Sequence, residues 1–174
     1  MTLLTAGHGR LTGVELTDLL RGAGVQTLVD IRRFPGSRTH PDMSRDAMGS
    51  WLPDAGIVYR WEERLGGRRR LAADAPRLDP WWQVDQFAAY ATHTRTAEFD
   101  AALREVLDES ASRTVAVMCS ESVWWRCHRR LVADVAVLRF DAAVGHLMHD
   151  GRVTPHPVAA GARVRDDGHV VWDG

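Results

Sequence analysis

Three clusters of residues carry most of the chemistry this sequence offers. The first is Asp30-Ile31-Arg32-Arg33, followed by Ser37, Arg38 and His40. A guanidinium fork matches phosphate or carboxylate oxygens two at a time, and Asp30 is placed to fix one of those forks by a paired hydrogen bond. Pro35 and Pro41 stiffen the loop. The second is Cys119-Ser120-Glu121. A thiol beside arginines is a candidate low-pKa nucleophile, and Glu121 with Asp30 is a candidate general acid/base pair. The third is Arg126-Cys127-His128-Arg129-Arg130. If a helix begins there, cations crowd its positive end, and Glu121 or a bound anion should offset them. Each cluster has an ordinary reading beside the functional one: a solvated basic loop, packed thiols, Glu121 paired with Arg129 or Arg130, a buried structural His128.

Cys119 and Cys127 stand eight positions apart. Together with His128 they supply too few well-directed ligands for a closed zinc site, so no metal and no cofactor is expected. In a reducing compartment the thiols are expected to stay unpaired. A redox pair would need Cα atoms about 4.4–6.8 Å apart. The spacing Cys119 to Arg126 has one residue too many for a phosphate-binding thiolate loop and lacks its internal glycine. Trp81-Trp82 and Trp124-Trp125 are either core or faces on which a nucleobase stacks.

The elements that must position these residues follow from pattern. An apolar run, Thr2 to Ala6, ends in Gly7-His8-Gly9 and predicts a first strand. Thr12 and Glu15 have capping-box spacing, Leu16, Leu19 and Leu20 follow at helical period, and Gly22 and Gly24 stop the helix. Residues 25–31 predict a second strand. Ser44 caps a helix through Leu52, interrupted near Pro53; residues 57–61 predict a third strand. Residues 64–80, with Gly66-Gly67 and three consecutive arginines, read as an exposed loop. Helices are predicted over 81–92, 96–108 and 125–138, and strands over 114–118 and 144–149.

Alternation of this kind predicts α/β: a single three-layer, Rossmann-like domain over residues 1–157, its mostly parallel sheet flanked by helices. Residues 158–174 read as a polar tail with a short hairpin around Asp167-Gly168. His8, Glu62, Glu63, Cys119 and Glu121 follow predicted strands and Asp30 and Arg32 end the second one, at the edge where such sheets bind ligands. His146 falls within the fifth strand.

Composition narrows the classes. The chain has 174 residues, 45% hydrophobic and 26% charged, with a net charge of -1. It contains no lysine, so Schiff-base chemistry, pyridoxal phosphate linkage and a P-loop lysine are excluded. Arginine, histidine or backbone N–H groups must hold any anion. Residues 1–9 lack the pattern of a secretory leader, and no apolar run nears the ~20 residues of a membrane span. The expectation is a cytoplasmic protein with no membrane partner.

Thr5-Ala6-Gly7-His8-Gly9, Asp30 to Arg38, Glu63-Arg64-Leu65-Gly66-Gly67, Met118-Cys119-Ser120-Glu121, Cys127-His128-Arg129, Gly145-His146-Leu147 and Pro155-His156-Pro157 together resemble the bacterial domain-of-unknown-function 488 family. Gly9 replaces the serine or similar small residue usual after the first histidine, and Trp124-Trp125 replaces a more polar stretch. The resemblance implies one α/β domain with a site built from these motifs, and no established reaction.

The leading expectation is an enzyme acting on a phosphate-bearing substrate, a small molecule such as a nucleotide, or a nucleic acid. Asp30, Cys119, Glu121 and His128 are its candidate catalytic residues. His8, Arg32, Ser37, Arg38 and Arg129 are its candidate substrate-binding residues. The alternatives are a non-catalytic nucleotide or nucleic-acid binding module and a redox-active thiol protein.

Overall fold

The computed structural model describes residues 2–36 and 38–174. Strands β1 (Thr2–Gly7), β2 (Thr27–Asp30), β3 (Val58–Trp61), β4 (Val115–Cys119) and β5 (Ala143–Leu147) run parallel, and β6 (Val153–Pro155) adds an antiparallel edge. The order is β3-β2-β4-β1-β5-β6. Central β4 is buried along its whole length, as an apolar, β-branched run covered on both faces must be.

Helices α1 (Gly13–Gly22) and α2 (Arg45–Asp54) cover one face, where Leu16, Leu20, Met48 and Leu52 pack on Leu4, Leu28 and Met118. Both predicted caps form. Thr12 and Glu15 bond each other's backbone, and Ser44 accepts from the Ala47 N–H. Pro53 lies in the last turn of α2, and the helix continues past it to Asp54. Helices α3 (Asp85–His93), α4 (Ala97–Ser110) and α5 (Arg129–Phe140) cover the other face, packing Tyr90, Phe99, Leu103 and Leu131 on Leu3, Val29 and Val117. The layers are therefore helix, sheet, helix. The connection leaving β1 runs over the first face and that leaving β4 over the second. The two strands are neighbours, so a crevice opens between their carboxyl ends, the usual ligand position in open α/β sheets.

Two predicted starts shift. Helix α3 begins at Asp85 rather than Trp81, because Trp81 and Trp82 are held outside it: the Trp81 N–H bonds the Trp172 carbonyl, and Trp82 packs on Trp172. Helix α5 begins at Arg129 rather than Trp125, preceded by a 3-10 turn over Trp124–Arg126. Residues 162–172 form the hairpin of β7 (Ala162–Val164) and β8 (Val170–Trp172). It packs into the core. Trp172 is fully buried and its indole donates to Asp134, which also accepts from His156.

Candidate functional site

Parallel register brings the strand ends level. Gly7 pairs with Cys119, and Asp30 pairs with Met118. His8, Asp30, Arg32, Cys119 and Glu121 therefore gather at one end of the sheet. A groove of about 1710 Å³ lies there. It exceeds the ~300–1,000 Å³ of ordinary small-molecule pockets. Eight arginines line it (Arg10, Arg32, Arg33, Arg68, Arg69, Arg70, Arg77 and Arg126) against two carboxylates, Asp85 and Glu121.

At the β2 end, Asp30 is fully buried and saturated. It accepts from Arg32 Nε at 2.9 Å, Arg32 Nη2 at 2.7 Å, the Arg32 backbone N–H and the Tyr59 hydroxyl at 2.7 Å. Arg32 also donates to the Met43 carbonyl and, at 3.3 Å, to His8 Nε2. His8 in turn donates from Nδ1 to the Gly9 carbonyl, so its ring is neutral. Burial, then the neighbouring Arg32 charge, lowers its pKa to about 4. Desolvation, then the Asp30 charge, pushes the Tyr59 hydroxyl well above its usual range. These contacts leave Asp30 no free lone pair toward the groove, which it does not line. The expected Asp30/Glu121 pair is thereby corrected: one carboxylate is locked into the fold and the other is exposed.

At the β4 end, the Trp124–Arg126 turn folds the chain back so that Cys127 returns to Cys119. The two sulfurs are joined, with a Cα–Cα separation of 7.6 Å. This overturns the expectation of unpaired thiols, although the separation lies outside the usual disulfide window. The Sγ of Cys127 accepts from the Arg129 backbone N–H at 3.5 Å and from Arg129 Nε at 3.4 Å. His128 donates from Nε2 to the Ile31 carbonyl at 3.0 Å, which leaves the Nδ1 lone pair 3.6 Å from the same sulfur. Burial lowers the His128 pKa to about 4. Arg129, only 1% exposed, donates from Nη2 to the Glu121 carbonyl at 2.5 Å. Its pKa falls to about 10, chiefly through desolvation. The negative groups facing Arg129 at the start of α5 are thus the Glu121 carbonyl, the Cys127 sulfur and the Glu121 charge, the last as expected. Arg129 does not present its fork to the groove.

Two glycines make these approaches possible. A Cβ on Gly7 would overlap the Glu121 carbonyl oxygen, and one on Gly67 would lie 2.9 Å from His128 Nδ1. Gly66 closes on Arg33 after β2 and Gly67 on His128 before α5, so this pair is where the arginine loop seats.

Residues 67–70 build the rim. Arg33 donates to the Arg68 carbonyl, and Arg68 holds a left-handed φ of 55°, sparsely populated for a residue with a side chain. Arg69 turns inward to the Gly66 and Glu63 carbonyls. Arg10, Arg68, Arg70 and Arg126 are exposed and make no ion pair with any described residue. Arg126 belongs to the cation cluster that the sequence marked for a bound anion; Arg10, Arg68 and Arg70 were not singled out there, although the run Arg68–Arg70 was visible.

The remaining expectations fall elsewhere. Arg38 is exposed and does not line the groove, and Ser37 lies outside the described residues. Glu62 is buried between Arg60 and Arg64. His146 faces away, in a buried relay from Thr5 through His146 and His156 to Asp134, with Trp124 stacked on it at 4.2 Å.

A family model described as Domain of unknown function DUF488 matches residues 13–136, well over half of the chain. The chain belongs to this family. The DUF488 match includes Asp30, Arg32, the arginine loop and both cysteines. His8 and the His146/His156 relay lie outside it. No curated protein and no solved structure matches the chain. No helix among the described residues is long and apolar enough to cross a membrane.

Proposed function

We propose that this protein is a cytoplasmic enzyme acting on a phosphate-bearing substrate, a nucleotide or a nucleic-acid strand, held in the groove at the carboxyl edge of the sheet. The observation that carries this reading is the groove's charge: eight arginines against two carboxylates in a chain whose net charge is -1. The anion contacts belong to Arg10, Arg68, Arg70 and Arg126. Arg32 and Arg129 hold the floor rigid beneath them. Glu121 is the proton-transferring group and is exposed to the groove; Cys119, Cys127 and His128 form the reactive floor. The groove's size favours an extended strand over a lone nucleotide.

Fluorescence anisotropy with a labelled single-stranded oligonucleotide tests the binding. Arg68→Ala and Arg70→Ala should each make the salt dependence shallower by about 0.7 in log–log slope. Unchanged affinity and slope in both variants would remove the reading. A non-catalytic module is the second reading, favoured by the saturation of Asp30, which leaves Glu121 without a second free carboxylate. In an enzyme, Glu121→Gln abolishes turnover and leaves oligonucleotide binding intact. In a module it changes neither.

A further inference from the structure

Apart from any phosphate-bearing ligand, the floor of the groove holds three soft or borderline donors converging on one point. We propose that, once reduced, Cys119, Cys127 and His128 bind a thiophilic divalent cation of the Zn²⁺ type, with its remaining coordination position open to the groove. The Sγ atoms of both cysteines and a ring nitrogen of His128 lie within 4.8 Å of one another. A tetrahedral zinc with Zn–S of about 2.3 Å and Zn–N of about 2.0 Å places its ligand atoms about 3.3–3.8 Å apart. The 3.6 Å between Cys127 Sγ and His128 Nδ1 already fits this.

Three further features agree. His128 donates its Nε2–H to the Ile31 carbonyl, which fixes the tautomer with Nδ1 bare. This is the arrangement that orients metal-bound histidines. The Arg129 backbone N–H and Nε both donate to Cys127 Sγ and so favour the thiolate that a metal requires. The backbone holds the two cysteine Cα atoms 7.6 Å apart, outside the usual disulfide range, which leaves room for an ion between the sulfurs once their bond is opened. The three ligands line the groove together with Glu121, which follows Cys119 by two residues. Three protein ligands and one open position are the pattern of catalytic rather than structural zinc.

The chemistry balances without a hidden partner. A phosphine reductant attacks one sulfur and the Cys119–Cys127 bond opens; water then supplies the oxygen of the phosphine oxide and the two protons of the thiols, and the phosphine gives up two electrons. Binding M²⁺ then forms two metal–sulfur bonds and releases two protons, and the thiolates cancel the charge of the ion.

The test uses the full chain, reduced with a phosphine under nitrogen and titrated with Co²⁺ and then Zn²⁺. The expected result is one cobalt per chain, with a thiolate-to-cobalt charge-transfer band and the strong visible bands of a near-tetrahedral ion. Zinc should displace it, and about two protons per ion should appear in weak buffer. Cys119→Ser and Cys127→Ser should each abolish the charge-transfer band, and His128→Gln should weaken binding by about tenfold or more. The disulfide form should bind no cobalt. Reduced wild-type protein that takes up no cobalt overturns the proposal whatever the variants do, as does a band that survives Cys127→Ser in a folded variant. Because cobalt is read directly, failure here leaves the phosphate-binding reading standing, and failure of oligonucleotide binding leaves this one standing.

Discussion

The floor and the rim of the groove use the same side chain for opposite purposes. In the floor, Arg32 and Arg129 are 7% and 1% exposed, and their donors are committed to Asp30, the Met43 carbonyl, the Glu121 carbonyl and Cys127. At the rim, Arg68, Arg70 and Arg126 are exposed and without ion-pair partners among the described residues. A desolvated guanidinium must be fully partnered or it destabilises the fold, whereas a solvated one costs almost nothing to leave free. Arginine in the floor therefore builds the site, and arginine at the rim is available to a ligand.

The largest expected effect breaks the floor. Asp30→Ala strands the Arg32 guanidinium in a dry environment and should cost about 3–5 kcal/mol of folding stability by urea denaturation. A loss below about 1 kcal/mol would mean that water reaches the pair and that floor and rim do not differ.

Gly67→Ala comes next. Its Cβ would meet His128 Nδ1 at 2.9 Å, so ring or loop must move. The expected cost is about 1–3 kcal/mol. A neutral result would show the loop to be loosely seated.

The pH dependence sharpens the comparison further. Burial holds His8 and His128 near a pKa of about 4, and His146 near about 3, all from 6.5. The unfolded chain takes up these protons near pH 6.5 while the folded chain refuses them until far lower. Stability is thus fully present above pH 6.5 and falls as pH drops toward 4, by about 1.4 kcal/mol per pH unit for each histidine. His8→Gln should flatten the slope by one proton between pH 6 and 5; an unchanged slope would show that His8 titrates normally.

The smallest effect on stability belongs to the rim. Arg68→Ala and Arg70→Ala should change unfolding free energy by no more than about 0.5 kcal/mol, while lowering polyanion affinity. A stability loss as large as that of Asp30→Ala would make the rim arginines structural.

Much of the frame was legible along the chain. Thr12 and Glu15 form their capping box, and Ser44 caps α2, because these bonds join residues three apart. The five parallel strands announced themselves through apolar runs ending in polar residues. The start of α5 was misread because Trp124–Arg126 has helical composition, yet its place is decided by Trp124 stacking on His146 from a distant strand. The start of α3 was displaced in the same way by Trp172, some ninety positions downstream. In the site, the gathering of His8, Asp30, Cys119 and Glu121 followed from strand ends. The division of labour among the arginines did not.

By itself the sequence determined what was local or periodic: the α/β alternation, the caps, the absence of lysine chemistry and the strand-end position of the polar motifs. Tertiary structure alone decided which of those polar groups are spent and which are free. Whether Asp30 can act as a base depends on Tyr59 and Arg32 closing over it, and whether Cys127 meets Cys119 depends on a turn held by β5. Desolvation sets these outcomes. It is a property of every neighbour at once, and chains distant in sequence supply most of those neighbours.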